Sequence, residues 1–311
     1  MAGKTATRQA YGEFLVEKGR VKADLIVMDA DLSKSTMTNA FSKEFPDRFF
    51  NMGIAEQNLF GAAAGIALSG KTVCASTFAM FASGRAFEVV RNSIGYTHAN
   101  VKICATHAGI SVGEDGASHQ TFEDIALMRT IPGMTVLNPS DGESAKILLD
   151  QAVDADGPFY IRLGRAAVEP IYAADAEIKV GKSVCLRDGG DCTVIATGIL
   201  VGEALLAAEA LAKEGIAVRV VDMHTIKPID GEAIEKAAKE TKGIVTAEEH
   251  SVIGGLGGAV AEYAAAHCPV RMAFVGQGDC FGESGKPAEL LKKYGMSADS
   301  IAAAVKGMLR G

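Results

Sequence analysis

The sequence predicts an α/β protein built as two doubly wound domains, and three observations carry the prediction. Short runs rich in Val, Ile, Thr and Cys alternate with helical stretches from one end to the other. Parallel strands joined by crossover helices leave that pattern. The alternation lapses once, in "AAVEPIYAADAEIKVGK" at 166–182, and then resumes. A length of 311 residues fits about two domains.

The elements follow in order. "TRQAYGEFLVEKGR" reads as a helix and "DLIVMDADL" as a buried strand ending in acids. "EQNLFGAAAGIALSG" is a helix of small residues and "KTVCAST" a strand; "SGRAFEVVRNSIGY" is a helix and "VKICATH" a strand. "TFEDIALMRTI", "MTVLNPS", "DGESAKILLDQAVDA" and "GPFYIRLGR" continue as helix, strand, helix, strand. After the lapse, "DCTVIATG", "IAVRVVDM", "KGIVTAEEH" and "VRMAFVG" are strands separated by helices, and one last helix ends the chain. The expected boundaries are a first domain at 1–168, a linker at 169–182 and a smaller domain at 183–311.

Composition narrows the function classes. Apolar residues make up 48% and charged residues 22%, ordinary for a soluble globular chain. A net charge of −7 without a basic stripe argues against a nucleic-acid binder, though a few local arginines can still serve small anions. No apolar run is long enough for a membrane span, and "MAGKTATRQAYGEF" lacks a signal-peptide core. The six cysteines form no CxxC pair and no zinc-ligand spacing, so reduced thiols and a cytoplasmic location are expected.

Open α/β sheets bind ligands beyond the carboxyl ends of their strands. Four strand ends in the first domain deliver candidate groups there: Asp31, Ser33 and Ser35; "TFAMF" with the aromatic Phe78 and Phe81; His107, Glu114, Asp115 and His119; and Arg165. The loop 107–120, "HAGISVGEDGASHQ", gathers two histidines and two acids among three glycines that allow sharp turns. His107 and His119 lack HxH or HxxxH spacing, which leaves hydrogen bonding to a hydroxylated or phosphorylated ligand, or plain solvation, ahead of metal binding. Glu56 stands at a helix start, where a carboxylate can simply complement free N–H groups. Taken singly, Phe78 and Phe81 read as ordinary core residues. "GGLGG" at 254–258 resembles a phosphate loop only loosely, and tight packing explains it better, since a lone glycine cluster opening a helix is more often packing.

"NMGIAEQNLFGAAAGIAL", "STFAMFASGRAFEVVRN" and "THAGISVGEDGASHQ" together resemble the pyrimidine-binding domain of transketolase, and "DMHTIKPIDGEAIEKAAKETKGIVTAEEHSVIGGLGGAVAE" resembles its C-terminal domain. The resemblance implies a thiamine-diphosphate enzyme that moves a two-carbon ketol unit from a ketose phosphate to an aldose phosphate. It also implies roles. Glu56 would bond the ring nitrogen of the cofactor's aminopyrimidine, where a carboxyl in a water-poor pocket can share a proton with a heteroaromatic base. Phe78 and Phe81 would stack on that ring. Asp31 would lie near the thiazolium, His119 would face the transferred unit and Asp115 a substrate hydroxyl. Arg8, Ser35, His107 and Arg165 match the positions that grip the sugar phosphate, arginine supplying paired charge-assisted bonds.

The match covers the second half of a conventional transketolase. No GDG…N motif occurs to hold Mg2+ and the diphosphate, so the resemblance implies a partner chain that carries it, in an α2β2 assembly. One position departs from the pattern: Gly84 stands where the family usually offers a third aromatic. Other readings are a deoxyxylulose-phosphate synthase-like chain, a 2-oxo acid dehydrogenase beta-type subunit, a non-catalytic sugar-phosphate-binding protein of this fold, and a nucleotide-binding oxidoreductase resting on the glycine cluster alone.

Overall fold

A computed structural model describes residues 3–310. Its strands are β1 (Thr5–Ala6), β2 (Leu25–Asp29), β3 (Phe49–Asn51), β4 (Thr72–Phe78), β5 (Val101–Thr106), β6 (Thr135–Leu137), β7 (Phe159–Arg162), β8 (Ala167–Val168), β9 (Val184–Arg187), β10 (Cys192–Ala196), β11 (Val218–Asp222), β12 (Thr225–Lys227), β13 (Ile244–Ser251) and β14 (Met272–Gln277). A seven-stranded sheet has the order β12-β6-β7-β5-β4-β2-β3, and a five-stranded sheet the order β14-β13-β10-β11-β9. All pairings in the larger sheet are parallel except β12 with β6.

The continuous apolar runs of the sequence become strands covered on both faces, and every residue of β2, β4 and β5 is buried. On one face of the larger sheet the helices Thr7–Val21 and Gly142–Asp154 enclose Tyr11, Leu15, Leu148 and Leu149. On the other, Leu59 and Phe60 of the helix Glu56–Leu68 join a cluster that runs on through Val136 to Val221, Ile226 and Val260. Apolar packing is therefore continuous between the two sheets.

Several elements differ from expectation. The single helix expected over 83–96 is a π-turn at Phe81–Arg85, a short α-turn at Phe87–Val89 and a second π-turn at Val90–Gly95. The Ser83 hydroxyl donates to the Ala79 carbonyl at 2.7 Å, competing with the α-ladder at that point. The stretch expected as linker follows directly on β8, which pairs with β1. β9 and β12 are short antiparallel edge strands without the length or periodicity to stand out in sequence. The last helix is two, Pro287–Lys293 and Ala298–Arg310. Among the described residues no helix is long and apolar enough to cross a membrane.

Candidate active site

Because β2, β3, β4, β5 and β7 run parallel, their carboxyl ends share one edge. Beneath that edge the buried Asp29 carboxylate accepts from the Leu32 N–H at 2.5 Å and from the hydroxyls of Thr36 and Thr38 at 2.6 and 3.0 Å. These bonds fix the turn that carries Asp31 and Ser35.

Glu56 opens the helix Glu56–Leu68, and its residue is only 2% exposed. Its Oε2 is buried and has no hydrogen-bond partner. The nearest cation is Arg85, whose Nη1 lies 3.5 Å from Oε2, beyond a good charge-assisted bond. An unpaired buried carboxylate oxygen costs free energy and points to a missing donor. The guanidinium of Arg85 also sits 5.3 Å from the centre of the Phe81 ring.

Phe78 and Phe81 lie nearly parallel, with centroids 5.9 Å apart and planes 13° from each other. Phe78 stacks on His107 at 3.9 Å, and His119 turns its edge toward both phenyl rings, at 6.1 and 5.5 Å. The space beside Gly84 is taken: a Cβ there would meet the terminal methyl of Met80 at 2.9 Å. Ser118 Oγ lies 3.0 Å from His119 Nδ1.

A second cluster adjoins the first through His107. Arg8 Nη1 donates to the Ser35 carbonyl at 2.8 Å and to His107 Nε2 at 3.2 Å. A guanidinium only donates, so Nε2 is the acceptor and His107 keeps its proton on Nδ1, bonded to Thr106 Oγ1 at 2.9 Å. Burial first, then Arg8, Arg165 and His119, push the His107 ring down to about 3, so it is neutral near pH 7. Burial and then the neighbouring Arg165 lower Arg8 from its ordinary value, while its Nε is buried without a partner. Arg165 Nη1 donates to the Val112 carbonyl and to Glu114 at 3.2 Å, with Asp115 at 3.9 Å. Two neighbouring guanidiniums with an unused N–H suit an anion.

The edge thus gathers Glu56, Phe78, Phe81, His107, His119, Arg8, Ser35 and Arg165 into two joined clusters, with Asp115 on the rim against Arg165. Asp31 lies at the same edge but is exposed, in left-handed backbone (φ 63°), and exchanges hydrogen bonds of 3.0 Å with Asn51. Sequence reasoning missed Arg85, although it stands four residues beyond Phe81 in a helical stretch, and missed Thr106 and Asn51, which have no motif. "GGLGG" is packing: the Glu248 carboxylate accepts the N–H groups of Leu256 and Gly257 at 2.6 and 2.8 Å, and a Cβ at Gly257 would lie 2.6 Å from Phe274. That leaves no room there for a phosphate. Among the described residues no group of three or more His, Cys, Asp or Glu side chains could hold a metal ion.

The family description "Transketolase, pyrimidine binding domain" matches residues 3–170, and "Transketolase, C-terminal domain" matches 181–301. A protein of Methanocaldococcus jannaschii, provisionally named a transketolase C-terminal section, is 53% identical over 95% of this chain and 93% of its own length. The transketolase of Homo sapiens is 40% identical over 98% of this chain, which spans only 49% of that enzyme. A solved split-gene transketolase, described as an inactive beta4 tetramer, superimposes with a TM-score of 0.92 at 52% identity, covering 98% of both chains. This chain belongs to the transketolase family, and it corresponds to the pyrimidine-binding and C-terminal domains of that family's full-length members.

Proposed function

We propose that this chain is the C-terminal subunit of a two-chain, thiamine-diphosphate-dependent transketolase, active only with a partner that carries the diphosphate-binding domain. The observation that carries the proposal is the buried Oε2 of Glu56, without a hydrogen-bond partner and linked through Arg85 to two parallel phenyl rings. A heteroaromatic ring with a hydrogen-bonding nitrogen at its edge suits both features. The provisionally named C-terminal section of M. jannaschii and the solved split-gene chain favour a two-chain enzyme over a fragment with another task. Mg2+ and the diphosphate fall to the partner, since the GDG…N motif is missing from this sequence.

When bound, thiamine diphosphate supplies a nucleophilic carbon and an electron sink for breaking and making the bond next to a sugar carbonyl. The chain's own residues position and protonate. Glu56 would share a proton between Oε2 and the edge of the aminopyrimidine, in place of its weak pairing with Arg85. Phe78 and Phe81 give the ring a flat apolar surface, an offset contact worth about 0.5–1.5 kcal/mol beyond burial. His119, standing edge-on to both, faces the hydroxyl and carbonyl oxygens of the transferred unit, and Asp115 a more distant hydroxyl. Arg8, Ser35 and Arg165 receive the phosphate, with neutral His107 orienting Arg8 through Nε2. Asp31 lies near the thiazolium side in this reading, and the assembly is α2β2, in a cytoplasmic enzyme of sugar-phosphate metabolism.

The test is reconstitution. The chain alone should be inactive and should gain activity with a partner of the GDG…N type. Glu56→Gln should lower turnover of the assembled enzyme by about 100-fold or more, leaving assembly unchanged by sedimentation. Near-normal turnover of that variant would end the catalytic assignment of Glu56, and a wild-type mixture that gains no activity would leave a sugar-phosphate-binding protein of the same fold.

A further inference from the structure

The loop 107–120 carries His107, Asp115 and His119, yet much of what holds it comes from the other sheet. Glu249 sits near the end of β13, buried, and its Oε1 accepts the backbone N–H of Ser111 at 2.6 Å. Its Oε2 lies 3.8 Å from Arg162 Nη1, and its carbonyl accepts from Arg162 Nη2 at 2.8 Å. Arg162 in turn donates to Asp124 at 2.8 Å, and Asp124 also accepts the Tyr160 hydroxyl at 2.7 Å. Two residues on from Glu249, the Ser251 N–H donates to the Phe122 carbonyl at 2.8 Å. The end of β13 therefore grips both legs of the loop, and Arg162 ties that grip to the strand that leads to Arg165.

The fit is tight at one point. Gly109 has φ +76°, and a Cβ there would lie 2.3 Å from the Glu249 carboxyl carbon. The loop descends onto the carboxylate only because this position has no side chain. Gly109 N–H donates to the Thr121 carbonyl at 3.1 Å and closes the neck of the loop just above Glu249.

We infer that Glu249 is a positioning residue for the substrate-gripping loop, a task of the C-terminal sheet carried out on the site of the other one. The carboxylate holds Ser111 and Gly109, and through them the placement of His107 and His119 over Phe78. The part of the inference that concerns substrate rests on the transketolase reading.

Two measurements test it on the full chain. In Glu249→Ala, exchange of the Ser111 amide hydrogen should quicken roughly tenfold, as for a lost buried hydrogen bond, with β4 and β5 amides unchanged. Glu249→Gln, which keeps one acceptor oxygen, should restore protection of Ser111 to within about threefold of the wild type. In the enzyme assembled with its partner, Glu249→Ala should raise KM for the phosphorylated donor about tenfold while kcat falls less than about threefold, with partial rescue by Gln. Unchanged Ser111 exchange in the Ala variant overturns the inference. So does faster exchange with an unchanged KM, or a kcat loss that matches the KM change. If Glu249→Ala does not fold, Glu249→Gln decides: its Ser111 protection must stay near the wild type and its KM must still rise measurably, since one oxygen cannot serve both Ser111 and Arg162. A wild-type assembly with no turnover would sink the transketolase reading instead, and the exchange experiment would still decide whether the loop depends on Glu249.

Discussion

Near Phe78 a single ring has an unusual assignment. His107 is held in left-handed backbone (φ 57°), a conformation rare outside glycine, and both its nitrogens are used. Its folded value of about 3 lies below the ordinary 6.5, so as the pH falls the unfolded chain takes up the proton first. The stability contributed by the neutral ring is thus complete above about 6.5 and is lost as pH falls toward 3. Nitrogen chemical shifts of His107 should report a neutral ring protonated on Nδ1 at pH 5, and a ring titrating near 6.5 would contradict the assignment. The sequence made His107 legible as a strand-end polar group, but not its tautomer, which depends on Arg8, 99 residues away in the chain. Glu56 and the two phenylalanines were singled out by the resemblance to transketolase, since on their own they read as a helix-start acid and core residues. Arg85 was not, because an arginine in an amphipathic helix is ordinary and only the π-turn brings it over Phe81.

Among the elements, long buried strands and helices could be read directly, since runs such as "KTVCAST" are apolar throughout and change period at their ends. The failures are short edge strands and the π-turns, where one competing hydroxyl or one distant pairing decides the local form. The helix Leu256–His267 illustrates close approach between elements. Glu248 accepts the N–H groups of its first turn, and Gly257 lets Phe274 and Thr246 pack against its backbone. Gly257→Ala forces Cβ to 2.6 Å from Phe274 and 2.9 Å from Thr246 Oγ1. Overpacking of this kind costs about 1–3 kcal/mol, so thermal unfolding should show a Tm lowered by a few degrees. An unchanged or raised Tm would mean that the Phe274 side chain, half-exposed at 45%, swings aside freely.

At the scale of the whole chain, the two sheets are joined at several points. Apolar packing runs from Val136 to Val221 and Ile226, Arg162 binds Glu249 and Asp124, and Lys227 Nζ donates to the carbonyls of Arg129 and Ile131, at 2.9 and 2.5 Å. Scanning calorimetry should therefore record one cooperative transition with equal calorimetric and van't Hoff enthalpies, and two resolved peaks would show that the units unfold independently. The alternation of elements announced two units in the sequence, but the junction was hidden, because its apolar contacts look like any core residues in sequence and the rest are single polar residues and a strand of three residues. That strand has a practical outcome for anyone dividing this polypeptide. Thr225 pairs with Leu137 across β12 and β6, so a cut in the 169–182 stretch would strip the larger sheet of its border strand and take the His224 carbonyl from the Asn138 N–H. A naked sheet margin of that sort recruits other molecules edge to edge, and the severed first half would tend to precipitate rather than stand as a tidy module.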